Sequence, residues 1–177
     1  KSMEELRKQL SIMTQNENVA EHEAILASIT EGLPNSIKVL PSTVPLERYT
    51  CIVHVFGFTE KPEYVGIAAF GTGRVFAGIE FVHWMLDRGK LMEIQFQECQ
   101  KGDIILYFAL GKAAHGGLVT ANSRVVSKWG IGLLCEHEVY EIPAKYGEDV
   151  HYFQRPPYET VYDLFCQYAE DSGIVFA

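Results

Sequence analysis

The chain has 177 residues, of which 47% are hydrophobic, and a formal net charge of -8 at pH 7. A chain of this length and composition can bury a full core, so the sequence predicts one compact folded domain rather than a disordered chain. The 23 acidic residues outnumber the 15 basic ones, and no basic stretch interleaves with aromatic residues, which argues against a nucleic-acid partner.

The N-terminal part of the chain predicts two helices. Apolar residues recur at helical spacing over residues 2–13 and again over residues 17–31. We expect residues 1–40 to form a helical extension that packs on a core of residues 41–177. These two parts together are expected to make a single compact domain.

Signals for targeting or for a membrane are weak. The start of the chain, Lys1-Ser2-Met3-Glu4-Glu5, lacks the apolar core of a secretory signal, so a cytoplasmic location and delivery as an effector both stay open. The apolar run at residues 104–110 is much shorter than the roughly 20 residues of a membrane-spanning helix. We therefore expect no membrane partner, and the pattern predicts no oligomeric state.

A turn-rich connector at residues 41–45 leads into a segment that could be a helix or a buried strand. Residues 46–58 include several β-branched side chains, which favour a strand, but we predict a helix. If this helix begins near Thr50, Cys51 lies at its N-terminus. A further core helix is predicted over residues 79–89, with Gly89 as its C-cap.

The second half of the chain predicts an antiparallel sheet. The predicted strands are residues 104–110, 115–120, 124–129, 136–142 and 150–155, and a last helix covers residues 159–169. Ala121-Asn122-Ser123 is predicted as the turn of a hairpin. Because helices come first and strands follow, the sequence predicts an α+β fold with helices packed on an antiparallel sheet.

The spacing of the four cysteines limits their chemistry. They are scattered without a C-x-x-C pair, so we expect neither a zinc site nor a disulfide framework, and no metal or cofactor is predicted. Cys51 has the most informative surroundings, because a helix N-terminus and a nearby imidazolium would both stabilise its thiolate. The alternative is a buried structural cysteine in an apolar segment.

His115 is the candidate base for Cys51. It is predicted to open a strand, and Gly116 and Gly117 follow it, so another element could approach the ring closely. A hairpin about Asn122 would bring Ser127, Lys128 and Trp129 beside His115.

The residue that would orient the imidazole is less certain from the sequence. A triad needs a third group that accepts a hydrogen bond from the histidine. The candidates are His137, Ser127, Glu136 and Asn122, and we prefer His137 over Ser127. For contact with the substrate we predict four residues near the two catalytic positions, namely Tyr49, Thr50, Lys128 and Trp129.

Two stretches carry a family resemblance. The run Gly102-Asp103-Ile104-Ile105-Leu106-Tyr107-Phe108, followed by His115-Gly116-Gly117-Leu118-Val119, resembles the pattern of NlpC-like papain-fold cysteine peptidases and amidases. A second block, Arg124-Val125-Val126-Ser127-Lys128-Trp129-Gly130, looks like an uncharacterised bacterial and phage branch of these proteins. The resemblance covers roughly residues 45 to 155.

The resemblance implies a papain-like fold and a set of roles. Cys51 corresponds to the nucleophile, His115 to the base, and Ser127 or His137 to the third polar residue. Family members often carry Asp or Asn before the cysteine and a small residue after it, whereas Thr50 and Ile52 stand here.

Together these patterns predict a cysteine hydrolase. Cys51 would attack an amide carbonyl, His115 would transfer the proton, and backbone N–H groups near Cys51 would hold the oxyanion. The resemblance implies peptide or isopeptide amides as substrates, including peptidoglycan peptides. Two alternatives stay open, namely a papain-fold deamidase or acyltransferase acting on a protein, and a catalytically inactive binding module.

Overall fold

The computed structural model describes residues 1–61, 63–64 and 75–173. The fold is α+β, as predicted, with helices on both faces of a seven-stranded antiparallel sheet. The helices of the described part are α1 (Ser2–Gln15), α2 (His22–Gly32), α3 (Cys51–Val55), α4 (Ile79–Asp87) and α5 (Tyr158–Asp171). The strands are β1 (Lys38–Val39), β2 (Glu93–Ile94), β3 (Ile104–Ala109), β4 (Lys112–Val119), β5 (Val125–Lys128), β6 (Leu134–His137) and β7 (Asp149–Phe153).

The sheet has the strand order β1-β6-β5-β4-β3-β7-β2. Strands β3 to β6 form the predicted antiparallel meander, and β7 returns to pair with the other edge of β3. No helix among the described residues has both the length and the apolar character needed to cross a bilayer.

The turn between β3 and β4 corrects one prediction about His115. Leu110 and Gly111 both have positive φ, at 53° and 78°, which suits a two-residue hairpin turn. This turn lets β4 begin at Lys112, so His115 is the fourth residue of the strand. The prediction that His115 opens the strand was wrong.

A bulge in β4 decides which face His115 occupies. Tyr107 pairs with His115 and Phe108 pairs with Ala113, so Ala114 is one extra residue in the ladder. Because side chains alternate along a strand, this extra residue places His115 and Ala113 on opposite faces.

The two faces of the sheet carry separate apolar clusters. The face covered by α3, α4 and α5, here called the α3 face, contains Ile104, Leu106, Ile52, Phe81 and Phe165. The opposite face, here called the α1 face, is covered by α1 and α2 and contains Leu6, Leu10, Ile105, Tyr107 and Trp129. The alternation of Ile104 to Tyr107 between these clusters follows from the two-residue period of a strand.

The first forty residues are integrated into the sheet and the core. Strand β1 pairs with β6, and the apolar side of α1 packs in the α1-face cluster. The buried guanidinium of Arg7 donates to the carbonyls of Ile142 and Gly147 and forms an ion pair with Glu148 at 2.8 Å. The predicted N-terminal extension is therefore tied to the core by backbone and side-chain bonds.

The segment around Cys51 contains less helix than predicted. Instead of one helix over residues 46–58, a 3₁₀ turn at Leu46–Arg48 is followed by extended backbone at Tyr49 and Thr50, and α3 has only five residues. The chain leaves α3 through Gly57, whose φ of 75° stops a helix. The helix does begin directly after Thr50.

The predicted helices over residues 79–89 and 159–169 are confirmed by α4 and α5. The predicted strand over residues 136–142 is wrong in its extent, since β6 ends at His137. The carboxylate of Glu141 accepts hydrogen bonds from the backbone N–H groups of Glu138 and Ser36, and these bonds fold residues 138–141 into a turn.

Candidate functional site

Cys51 lies at the edge of a cleft on the α3 face. It is the first residue of α3, and its side chain is largely buried, with the residue 8% exposed. The cleft has a volume of about 350 Å³. Besides Cys51, it is lined mainly by Thr50, Ile52, Phe76, Ile79, Glu80 and Tyr168.

The sulfur of Cys51 is surrounded by groups with opposing effects on its pKa. Burial is the largest effect and raises the pKa of the thiol to about 11. The backbone N–H groups of Gly116, Cys51 and Ile52 and the charge of Lys128 act in the opposite direction. The thiol is therefore protonated at neutral pH in this structure.

His115 is fully buried on the α1 face, and its ring makes no hydrogen bond to the part of the chain that the structure describes. Its ring stacks on Tyr146 with the centroids 4.0 Å apart and the planes within 5° of parallel. Neither ring nitrogen has a hydrogen-bond partner among the described residues. Burial, together with the charges of His137 and His54, lowers the pKa of His115 well below its usual value, so the ring is neutral.

Cys51 contacts β4 at the residue that follows His115, but Cys51 and His115 do not form the predicted hydrogen bond. The N–H of Gly116, the residue after His115, contacts the sulfur. A side chain at position 116 would lie 3.3 Å from Val55 and 3.4 Å from Ile52, so this position faces α3. Since neighbouring side chains of a strand point to opposite faces, the His115 ring points away from α3.

Ser127 and His137 are hydrogen-bonded to each other and not to His115. The Oγ of Ser127 lies 2.7 Å from Nε2 of His137, and Nδ1 of His137 lies 2.7 Å from the carbonyl of Glu138. Because a carbonyl only accepts, Nδ1 carries the proton and Nε2 accepts from the serine hydroxyl. Trp129 donates its indole N–H to Ser127 at 3.1 Å. Both predicted third residues are thus engaged with one another, and neither orients His115 here.

Of the four predicted substrate contacts, only Thr50 lines the cleft beside Cys51. Tyr49 is buried, and its hydroxyl lies 2.6 Å from the hydroxyl of Ser42. Trp129 is buried on the α1 face, and Lys128 is buried on the α3 face. In the conformation shown, these three side chains are enclosed by the fold, and their contact with a substrate stays a prediction.

Sequence reasoning missed several residues of the site. Phe76, Ile79, Glu80 and Tyr168 line the cleft, although they lie far from Cys51 in the chain and belong to no motif. It also missed the stacking of Tyr146 on His115. For Tyr168, the helical spacing of the last helix was a usable signal, because it places this residue on the inner side of α5.

The described part of the chain has free thiols but no grouped metal ligands. Within residues 1–61, 63–64 and 75–173, no three His, Cys, Asp or Glu side chains are grouped so that they could hold a metal ion. All four cysteines have free thiols.

Comparison with known proteins gives no relative. No protein-family model, no curated protein and no solved structure matches this chain significantly. The fold and site therefore define an α+β protein with a buried thiol beside an apolar cleft, and any narrower class is a matter of proposal.

Proposed function

We propose that this protein is a cysteine hydrolase of the papain-like type that cleaves an amide bond, with Cys51 as nucleophile and His115 as base. The observation that supports this best is the state of His115, which is buried with both ring nitrogens unpartnered. A buried polar group without a hydrogen-bond partner lowers the stability of the fold by about 1–3 kcal/mol, so its presence in a native structure needs an explanation. The Cys51 sulfur is in contact with the N–H of the next residue, so it would supply a partner once the ring is brought to the α3 face.

The proposed reaction starts from a neutral pair. As the Cys51 sulfur attacks the carbonyl carbon, its proton passes to a ring nitrogen of His115, and a C–S bond forms. His115 then gives this proton to the leaving nitrogen as the C–N bond breaks, and water hydrolyses the thioester. Because the His115 ring lies on the α1 face, the step requires β4 to shift its bulge at Ala114, so that the imidazole comes to the α3 face beside the sulfur. The N–H groups of Cys51 and Gly116 are the nearest donors for the oxyanion.

The lining of the cleft supports an apolar group next to the scissile bond. Phe76, Ile79 and Tyr168 give the cleft apolar walls, and Glu80 is its acidic residue. An acyl group with an aliphatic or aromatic side chain would bury its surface there, whereas an acidic side chain would meet the carboxylate of Glu80. Peptide amides fit this description, and the peptidoglycan peptides implied by the family resemblance belong to the same chemical class.

The test is hydrolysis of a panel of N-acyl amino-acid p-nitroanilides, with p-nitrophenyl acetate as a more reactive acyl donor. We expect release of the chromophore, fastest for leucyl and phenylalanyl and slowest for glutamyl compounds. Cys51→Ala and His115→Ala should each lower the rate by at least about 100-fold, the usual size of a nucleophile or base effect. Cys166→Ala is the matched control and should keep the full rate. Release that survives Cys51→Ala would contradict the proposal.

A binding module that has the same fold without turnover is the second candidate. It is favoured by the raised pKa of the Cys51 thiol and by the closed hydrogen-bond pair of Ser127 and His137. In that case the apolar p-nitroanilides would bind without being cleaved, and Cys51→Ala would bind them as tightly as the natural chain. Calorimetric titration of both forms with the same compounds distinguishes the two candidates.

A further inference from the structure

A buried lysine lies on the same side of the sheet as Cys51. Lys128 is the last residue of β5, and none of its surface is exposed. Its ammonium donates to the carbonyl of Gly130 at 2.9 Å and lies 4.6 Å from the centroid of the Tyr49 ring. Tyr49 is two residues before Cys51, so the cation is held against the segment that carries the thiol.

This environment leaves the charge of Lys128 poorly compensated. A lysine ammonium has three N–H donors, and within the described residues one acceptor, the Gly130 carbonyl, is bound. A cation is costly to bury without a negative partner.

Several titratable groups act on this ammonium through their charge. Cys51 and His54 lie on α3, and Glu47 lies just before that helix. Cys135 lies on β6 with its side chain on the α1 face, so it acts on Lys128 from the other side of the sheet. Burial lowers the pKa of Lys128 to about 7, and negative charge on Cys51, on Glu47 or on Cys135 raises it. Cys51 has the strongest of these three effects. The interaction is reciprocal, since the positive charge of Lys128 lowers the pKa of Cys51.

We propose that Lys128 is a positioning residue whose ammonium group stabilises the thiolate of Cys51. The inference concerns the reactivity of the thiol, and it rests on the proposed function only for the use of that thiolate in turnover. Lys128 and Cys51 share one proton over part of the pH range, as a thiol with an amine or as a thiolate with an ammonium. His115 stays the base of the proposed hydrolysis, and Lys128 sets how much thiolate the resting protein holds.

The shared proton gives the natural chain a distinctive pH profile. Below the pKa of Lys128, the ammonium is present, and the thiolate fraction of Cys51 rises tenfold per pH unit. Above that pKa, each gain in thiolate is offset by loss of the neighbouring charge, so the fraction becomes constant. The rate of alkylation of Cys51 should therefore rise up to about pH 7 and then level off.

The experiment measures alkylation of Cys51 by iodoacetamide from about pH 6 to about pH 9, resolved by peptide mass spectrometry. Lys128→Met should react about tenfold more slowly at the acid end, as for a rise of about one unit in pKa, and should show no levelling. Lys128→Arg keeps a permanent charge, so it should match the natural rate at the acid end and then continue to rise.

Two internal controls separate this effect from a general loss of structure. Cys166, which is partly exposed on α5, should be alkylated at the same rate in every variant. Lys145→Met removes a lysine that lies over a different tyrosine ring, that of Tyr146, and should leave the Cys51 profile unchanged.

A Lys128→Met profile that coincides with the natural one would overturn the proposal. If that variant does not fold, the arginine variant decides, because levelling that persists in Lys128→Arg also overturns it. Alkylation needs no turnover, so these outcomes are independent of whether the protein is a hydrolase.

Discussion

Two groups of buried polar side chains, one on each face of the sheet, differ in how completely they are hydrogen-bonded. On the α1 face, Ser127, His137 and Trp129 form a closed set of hydrogen bonds. On the α3 face, the buried ammonium of Lys128 donates one hydrogen bond, to the Gly130 carbonyl, and Cys51 borders a cleft. The hydrogen-bonding capacity of Ser127, His137 and Trp129 is used up, so these residues serve the fold, whereas Cys51 and Lys128 can still change their protonation or bonding.

We expect the largest effect when the indole ring of Trp129 is removed from the hydrogen-bonded set on the α1 face. Trp129→Ala should lower the free energy of unfolding by about 4 kcal/mol, because a fully buried indole leaves a cavity and two lost contacts behind. Cys51→Ala, on the other face, should cost no more than about 1 kcal/mol. Urea unfolding of both variants measures the difference. Equal losses would show that the two faces are alike.

The next effect is a loss of folding stability in acid, which we expect from the buried histidines. Burial lowers the pKa of His137 to about 4, below the 6.5 of an unfolded histidine. The folded state therefore binds fewer protons between these values, so stability is complete above pH 6.5 and falls as the pH drops toward 4. The loss is about 3 kcal/mol for this residue at the acid end.

His54 has the same direction and size of shift on the α3 face, where burial lowers its pKa to about 4. Urea unfolding at about pH 7 and about pH 5 should therefore show a clear loss of stability in the natural chain. In His54→Gln the loss should be smaller by about 2 kcal/mol. A loss of the same size in both proteins would exclude His54 as a source of acid sensitivity.

We expect a smaller effect when the Ser127 hydroxyl, which joins His137 to Trp129, is removed. Ser127→Ala leaves the Trp129 N–H and Nε2 of His137 without their partner, which should cost about 2 kcal/mol. The control is Ser172→Ala at the exposed end of α5, where we expect a change within about 0.5 kcal/mol. Thermal and urea unfolding of the pair measure it. A neutral Ser127→Ala would mean that these hydrogen bonds contribute little.

The smallest effect is expected at His151 on β7, whose side chain is partly exposed to solvent. Its ring nitrogens are 2.9 Å from Glu93 and 3.1 Å from Asp149, and these bonds raise its pKa. The stabilisation is therefore present below pH 6.5 and lost as the pH rises through the raised value. Because the side chain is 38% exposed, it amounts to only about 0.3 kcal/mol. Glu93→Gln should lower the pKa of His151 in an NMR titration, and an unchanged value would contradict the ion pair.

Much of the fold could be predicted from local patterns. Helical spacing located α1, α2, α4 and α5, and the turn at Asn122 located the hairpin between β4 and β5. The start of α3 at Cys51 could also be predicted, although its length could not, because Gly57 ends the helix after five residues.

The site was harder to predict, for a physical reason. One extra residue, Ala114, reverses the face on which His115 lies, and nothing in the local sequence marks this bulge. Ser127 and His137 were both assigned to His115, yet diagonal positions on β5 and β6 let them bond to each other. Residues that meet only through tertiary packing, such as Tyr146 on His115, leave no signal in spacing.

The proposed function depends above all on the Cys51 sulfur acting as a nucleophile. The most direct measurement treats the protein with p-nitrophenyl acetate, quenches it in acid within the first turnover, and maps the acetyl group by mass spectrometry. We expect the acetyl group on Cys51 ahead of the more exposed Cys99 and Cys166, and we expect it to disappear again on longer incubation as water hydrolyses the thioester. Acetylation of Cys99 or Cys166 while Cys51 stays unmodified would contradict it.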